Sequence, residues 1–568
     1  MRNLCHAIVG SVLLAVGSGC AGGATPGAAS GEPFDLILEG GRIVDGSGEA
    51  SFAGDVALRG DRIAAVGKLP HRRARRTIDC RGLVVAPGFI DMHSHSDWLL
   101  FEDGDAQSKI RQGVTTEVLG EGSSGGPFKG QLEPRSVEVR GETVRLSTLG
   151  DYFDALERSG ISTNVVSYVG LGNVWRCVMG EGFEPPTSQQ LEEMKRLLGE
   201  AMEDGAAGLS SMLASPPGLL ATTDQLVELC RVVREHGGIF SSHIRNEGTG
   251  VFEAVKEAIE VGERAGVRVD IIHLKIADQR YWGRMKDVVA LFEEARARGV
   301  DVQANVYPYT RGNNNLASII PPWAHEGGRE AMLARLRDET GRARMKKDIL
   351  AGIEGWYNHY LAIGGDWNRM LVNADLSPAN ESLEGQTMDR IIAARRGSGP
   401  GETDPLDVLF DFLLEEDSSI STIYAHHTEE DMNLAMRQAW CSIGSDGSAY
   451  AVEGPLRRGK PHPRNFGTFP RVLGHYVREQ RLLSLEDAVR KMTSLNATKL
   501  GLPKRGRLRE GYFADVTVFD PRRVIDRATY LEPFQYSEGI HHVVVGGQLV
   551  LDGGRHTGAR PGRVLRKN

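Results

Sequence analysis

Between residues 113 and 307 the sequence alternates short apolar, β-branched runs with amphipathic stretches of helical period, and few architectures accept that rhythm. Residues 113–120, 164–170, 207–212, 238–243, 267–273 and 302–307 read as strands; 189–205, 223–236, 251–265 and 285–298 read as helices. Within 223–236, Leu226, Val227, Leu229, Cys230 and Val233 fall on one stripe, as an amphipathic helix requires. Strand then helix, with short connections, implies parallel strands joined by crossovers. Eight such units close an α/β barrel of the (β/α)8 TIM type, whose site collects at the C-terminal strand ends. Further strands at 83–90, 419–426 and 439–446 bring the count to nine for eight places, one too many.

The ends of the chain carry a different pattern. Residues 34–46 read strand, glycine turn, strand; 55–67 form a hairpin with a polar turn, and 77–85 add another strand. Residues 514–519, 540–547 and 548–554 match them at the far end. Chain termini often meet in space, so one small β-sandwich built from 34–85 and 501–568 is expected beside a barrel of 86–500. The barrel rhythm breaks at Trp323, and the charged, helical stretch of about 324–400 reads as an inserted subdomain. A net charge of −8 gives no reason to expect nucleic acid or an anionic membrane as partner.

Residues 1–20 read as a targeting segment. Arg2 supplies the positive start, and 7–16 is an apolar run too short to span a bilayer. Val16-Gly-Ser-Gly-Cys20 resembles a bacterial lipoprotein signal with Cys20 as the lipidated residue, although Gly17 stands where a larger aliphatic is usual; ordinary secretory cleavage is the alternative. Residues 21–33 form a Gly/Ala/Ser/Pro tether. Either version exports the chain to the periplasm, and membrane anchoring would come only through a lipid on Cys20. Beyond Cys5 and Cys20, the cysteines are Cys80, Cys177, Cys230 and Cys441, none in a C-x-x-C pair, so a cysteine-rich zinc site is not expected. A disulfide among them stays open.

The chemistry starts at Ala86-Pro-Gly-Phe-Ile-Asp-Met-His93-Ser-His95, an apolar strand ending in two histidines spaced i, i+2. Side chains two apart on a strand share a face, so both imidazoles project together. Two imidazoles make half of a site for a borderline-soft divalent metal such as zinc. His243 and His273 each end a strand on consecutive units, and Asp446 ends the last strand. Any one of these histidines alone would be unremarkable; four imidazoles and a carboxylate at barrel strand ends point to a metal. A zinc held there lowers the pKa of its water to about 7, and a carboxylate beside it can take that proton and return it to a leaving amine.

This order of H-x-H, His, His, Asp, flanked by a split β-sandwich, resembles the amidohydrolase superfamily. Gly205-Ala-Ala-Gly-Leu-Ser-Ser, Ser242-His243-Ile-Arg245-Asn-Glu247, His273-Leu-Lys275, Tyr307-Pro-Tyr309-Thr310, Gly444-Ser-Asp446-Gly447, His462-Pro-Arg464 and Ala514-Asp-Val-Thr-Val-Phe-Asp-Pro resemble its D-aminoacylase (N-acyl-D-amino-acid deacylase) branch. The resemblance implies a zinc enzyme, with one or two metal ions, that hydrolyses N-acyl-D-amino acids by metal-hydroxide attack. His243 and His273 would be the tightest ligands, with His93 and His95 at the same or a second, weaker position. Asp446 would be the general acid/base, and Lys275, Tyr309 and Arg464 would hold the substrate carboxylate. The branch usually carries Gly-Asn-Cys-Gly after the second strand, with the cysteine as a ligand; here the stretch is Gly120-Glu121-Gly122-Ser123, and the cysteine position falls on Gly122. Glu121 offers a harder carboxylate ligand in its place, or else orients a histidine from behind.

Other readings stay in view. A dipeptidase, cyclic amidase or deaminase could use the same scaffold, since fold does not fix function. Gly122-Ser-Ser-Gly-Gly126 also fits the G-x-S-x-G elbow of serine hydrolases, but no amphipathic helix follows. A lipoprotein binding module with a vestigial barrel would not need the full histidine set.

Overall fold

The computed structural model describes residues 32–70, 73–396 and 403–567; the leader and Cys20 lie outside these. Eight parallel strands form the barrel: Phe89–Asp91, Val114–Leu119, Asn164–Ser167, Gly208–Met212, Ile239–His243, Arg268–Ile271, Val302–Val306 and Cys441–Ile443. Val169–Gly170 continues the third strand and pairs with Leu209 and Ser210. Every residue of Val114–Leu119, Ile239–His243 and Val302–Val306 is buried, as strands covered on both faces must be. The surrounding helices start where their sequences say they should. Thr187 with Gln190, and Thr222 with Gln225, form capping boxes at Ser188–Glu203 and Thr223–Glu235.

The ninth predicted strand is not in the barrel. Ser421–Tyr424 runs antiparallel to Gly312–Asn315 and Met370–Val372 in a separate sheet. A four-residue apolar run has the same local signature in either setting, and only its partners distinguish them. This sheet belongs to an insert with its own core, from Leu316 to Tyr424, wider than the 324–400 expected.

The stretch 83–90 is likewise not one strand. Val84–Pro87 pairs with the N-terminal strand Phe34–Ile43 on one side and antiparallel with Val516–Phe519 on the other. At Gly88 the chain changes partners: its N–H donates to Asp515 O, whereas the Phe89 N–H donates to Gly113 O in the barrel. A Cβ on Gly88 would lie 2.2 Å from Thr115 Oγ1, so only glycine lets the two sheets approach this closely. The sheet contains nine strands drawn from both ends of the chain, around a core that includes Leu38, Val56, Val516 and Val544.

The barrel closes between its last and first strands through a single bridge, Ser94 to Gly447, with the Asp446 N–H donating to His93 O at 2.8 Å. Buried lysines reinforce this region. Lys109 donates to Asp91 at 2.7 Å, to Ser445 at 2.8 Å and to Gly447 O at 2.8 Å. Lys499 joins Asp270, Ser442 and Ala304 O. Fully buried pairs of this kind are costly to break, on the order of 3–5 kcal/mol when one partner is removed. Cys80, Cys177, Cys230 and Cys441 are all buried free thiols. No helix among the described residues is long and apolar enough to cross a membrane.

Candidate metal centre

Five side chains from four strand ends converge on one carboxylate, which follows a fifth. Glu121 follows Val114–Leu119, and its two oxygens face two different groups. Oε2 lies 2.5 Å from His93 Nε2 and 2.9 Å from His95 Nε2, and His95 Nε2 lies 3.1 Å from Asp446 Oδ1. Oε1 lies 3.2 Å from His243 Nδ1 and 3.7 Å from His273 Nε2. Between the two histidines of the H-x-H pair, Ser94 turns inward and donates to Glu117 at 2.7 Å, which leaves His93 and His95 on the same side.

The glycines beside Glu121 explain why the carboxylate stands where it does. Gly122 has φ +62°, and a Cβ there would lie 2.7 Å from Met212 Cβ. A cysteine at that position, where the resembled branch carries one, has no room in this backbone. His273 at φ +40° and Asp446 at φ +51° also occupy the left-handed region, which non-glycine residues enter at a cost typical of functional sites.

The charges are arranged to receive a cation. Burial alone would raise the Glu121 carboxyl, but His93, His243 and His273 hold it well below the usual range. Burial likewise opposes ionisation of Asp446, yet Arg464 and His93 keep it an anion. Burial lowers the His93 imidazole despite Glu121 and Asp446. For His95 burial is outweighed by Asp446 and Glu121, which push it up to about 10. Burial and Lys275 oppose charge on His273, but Glu247 and Glu121 prevail and push it up to about 9. Without metal, then, protons neutralise the cluster. A donor set of four imidazole nitrogens and two carboxylates, with no sulfur, fits zinc or a somewhat harder divalent ion.

A cavity of about 470 Å³ opens over these groups, with His95, Glu121, His243, His273, Asp446 and Arg464 in its walls. Arg464 Nη1 donates to Asp446 Oδ2 at 2.7 Å, and its Nε has no partner among the described residues. Two expected carboxylate-binding residues are elsewhere. Lys275 is buried behind His273, its ammonium committed to Glu247 Oε1 at 2.5 Å and near His273 Nδ1 at 2.9 Å. Tyr309 is turned out of the cavity, its hydroxyl 3.3 Å from Asp526, because the chain bends at Pro308 and the Tyr309 N–H donates to Tyr307 O. The tyrosine beside the site is Tyr307: its ring lies under the Arg464 guanidinium at 4.9 Å, and its buried hydroxyl has no partner among the described residues. Glu247, to which the sequence motifs give no role, lies 3.0 Å from His273 Nδ1 and orients that ring. Both stand in motifs visible in the sequence, two residues from Tyr309 and four from His243. Ser124, the serine of the G-x-S-x-G stretch, is buried, donates to Gly126 O and accepts from the Gly170 N–H, so among the described residues its hydroxyl is engaged by backbone and not by a histidine.

Known proteins resemble this chain over most of its length. A model described as the amidohydrolase family matches residues 76–130 and 442–551. D-aminoacylase of Alcaligenes xylosoxydans xylosoxydans is 35% identical over 539 residues, covering 94% of this chain and 98% of that protein. The crystal structure of N-acyl-D-glutamate deacylase from Bordetella bronchiseptica, complexed with zinc and a phosphonate mimic of the tetrahedral intermediate, superposes with a TM-score of 0.77. It shares 33% identity and covers 94% of this chain and all of the other. A D-aminoacylase structure concerned with the role of a binuclear metal centre gives 0.76 at 35% identity, with 94% and 100% covered.

Proposed function

The chain belongs to the amidohydrolase family, in its D-aminoacylase branch, and on that premise we propose that it hydrolyses the amide of N-acyl-D-amino acids with zinc held around Glu121. The observation that carries the reading is a two-sided donor cluster and an Asp446–Arg464 pair in the wall of one cavity. His243 and His273 with Glu121 Oε1 would hold one ion; His93, His95 and Asp446 with Oε2 would hold a second or share the first. The bound metal supplies Lewis acidity that polarises the amide carbonyl and makes water a stronger acid.

The protein's own groups do the rest. Asp446 Oδ1 faces the cluster while Oδ2 is fixed by Arg464, so the carboxylate is aimed and ionised. It accepts a proton from the attacking water at Oδ1 and returns it to the departing nitrogen. The Nε edge of Arg464, free of protein partners, takes the substrate's α-carboxylate with guanidinium geometry. Lys275 and Glu247 hold His273 in orientation rather than touching substrate.

The test is release of acid from N-acetyl-D- and N-acetyl-L-amino acids by purified protein of known metal content. D-selective release that chelation abolishes and zinc restores is expected. No D-selective release across a broad panel would remove the substrate assignment. Export with lipid on Cys20 is part of the same reading and rests on residues 1–20; membrane-fraction retention that Cys20→Ala does not change would remove the lipid.

A further inference from the structure

Resting on the deacylase reading, we infer that this cavity selects substrates whose side chain donates hydrogen bonds and carries no negative charge, and that it rejects acidic side chains. The wall facing the metal centre comes from the insert and is polar: Asn313, Asn314, Asn373 and Ser421 line it. Asn313 and Ser421 satisfy one another, with Asn313 Nδ2 donating to Ser421 Oγ at 3.1 Å. Asn373 is different. It is 94% buried, being 6% exposed, and its Oδ1 has no hydrogen-bond partner among the described residues. A buried acceptor without a donor is destabilising until a ligand provides one. A carboxamide or hydroxyl side chain has a hydrogen to give; a carboxylate has none.

The charges point the same way. Arg458 and Arg464 are the arginines in the cavity wall, and no lysine lines it. Arg464 is tied to Asp446 and to the α-carboxylate of the reading above. Arg458 is tied to Glu102 by two hydrogen bonds of 3.0 and 3.1 Å. Asp375, exposed in the same wall, has no ion pair among the described residues. A second substrate carboxylate would therefore meet an unpaired carboxylate and no uncommitted cation, and desolvating it there is unfavourable. An apolar side chain escapes the repulsion but leaves Asn373 unsatisfied.

Three N-acetyl-D-amino acids of nearly equal size separate these terms: glutamine, glutamate and methionine, assayed for kcat/KM with the zinc-loaded protein. Glutamine is expected to exceed glutamate by roughly tenfold or more, and to exceed methionine, because a site built for hydrogen bonding discriminates against partners that cannot make the bond. Asp375→Asn should narrow the glutamine-to-glutamate ratio, and Asn373→Leu should lower the glutamine-to-methionine ratio; general damage to the fold would leave both ratios unchanged. Glutamate or methionine equal to or better than glutamine overturns the inference while leaving the deacylase reading intact. Hydrolysis of no N-acyl-D-amino acid at all overturns the reading itself.

Discussion

The two oxygens of Glu121 face neighbourhoods of different construction. On the Oε1 side, His243 and His273 extend from strands that are hydrogen-bonded neighbours, with Ser242 in register with Ile271. Both rings are buried; the His273 ring is held from behind by Glu247, and its backbone N–H donates to Asn305 Oδ1. On the Oε2 side, His93, His95 and Asp446 straddle the barrel's closing seam, where one bridge replaces a ladder. There the His95 side chain is 38% exposed to the cavity, and Arg464 stands beside Asp446. One half is pre-set by the sheet; the other is more open to the cavity and paired with an arginine. On the proposed reading both halves offer metal ligands, the Oε2 half also carries the proton acceptor Asp446, and Glu121 is common to both.

Removing the shared residue should erase the distinction. Glu121→Ala is expected to lower kcat/KM by roughly three orders of magnitude and to strip metal from both sides, read by turnover and elemental analysis. Adding Gly122→Cys to Glu121→Asn, which restores the Asn-Cys pair of the branch's usual pattern, should not recover activity, because position 122 has no space for a side chain. Recovery would mean that the loop relaxes freely. Asp446→Asn should lower kcat by about 10²–10³ yet keep the metal bound by His243 and His273; loss of all metal would contradict the division. Glu247→Gln should act on the opposite half, weakening metal affinity by roughly 10–100-fold, with a smaller effect on the rate of metal-saturated protein. The smallest effect is in protons. Metal-free His95 and His273 titrate near 10 and 9, so both carry a proton at neutral pH and must lose it to bind metal. Zinc uptake should therefore release protons, one from each side, and affinity should rise as pH goes from 7 towards 10. Calorimetry in buffers of different ionisation enthalpy measures this, and no release would mean the cluster is already neutral.

Much of this was legible beforehand. The barrel, the sheet made from both ends and five of the six convergent donors follow from period, order and spacing, which are local or nearly so; Glu121 is visible only through the resemblance, where it stands beside the position of the branch's cysteine. What escaped detection depends on partners. Ser421–Tyr424 looks like any buried strand until its antiparallel neighbours are known. Tyr309 and Tyr307 are equivalent by spacing, and only the bend at Pro308 separates them. Lys275 reads as a free cation in the sequence and is spent on Glu247 in the fold. Asn373 gave no signal at all, because an insert asparagine announces nothing until it is buried against a cavity.

The change of partners at Gly88 has a consequence for how the protein is made. The strand Val84–Pro87, which leads through Gly88 into the barrel strand that carries the H-x-H pair, is completed only when Pro87 meets Val516, and the closing strand of the barrel is secured by Lys499. Both come late in synthesis. A nascent chain paused anywhere before them carries its first two metal-binding histidines on an unfinished sheet edge. Long-range pairing of this kind is slow to form and exposed to misassembly. A product truncated before residue 514 keeps every donor of the Oε2 half but loses the strand that braces Val84–Pro87, and it is expected to bind less metal than the full chain, read by elemental analysis.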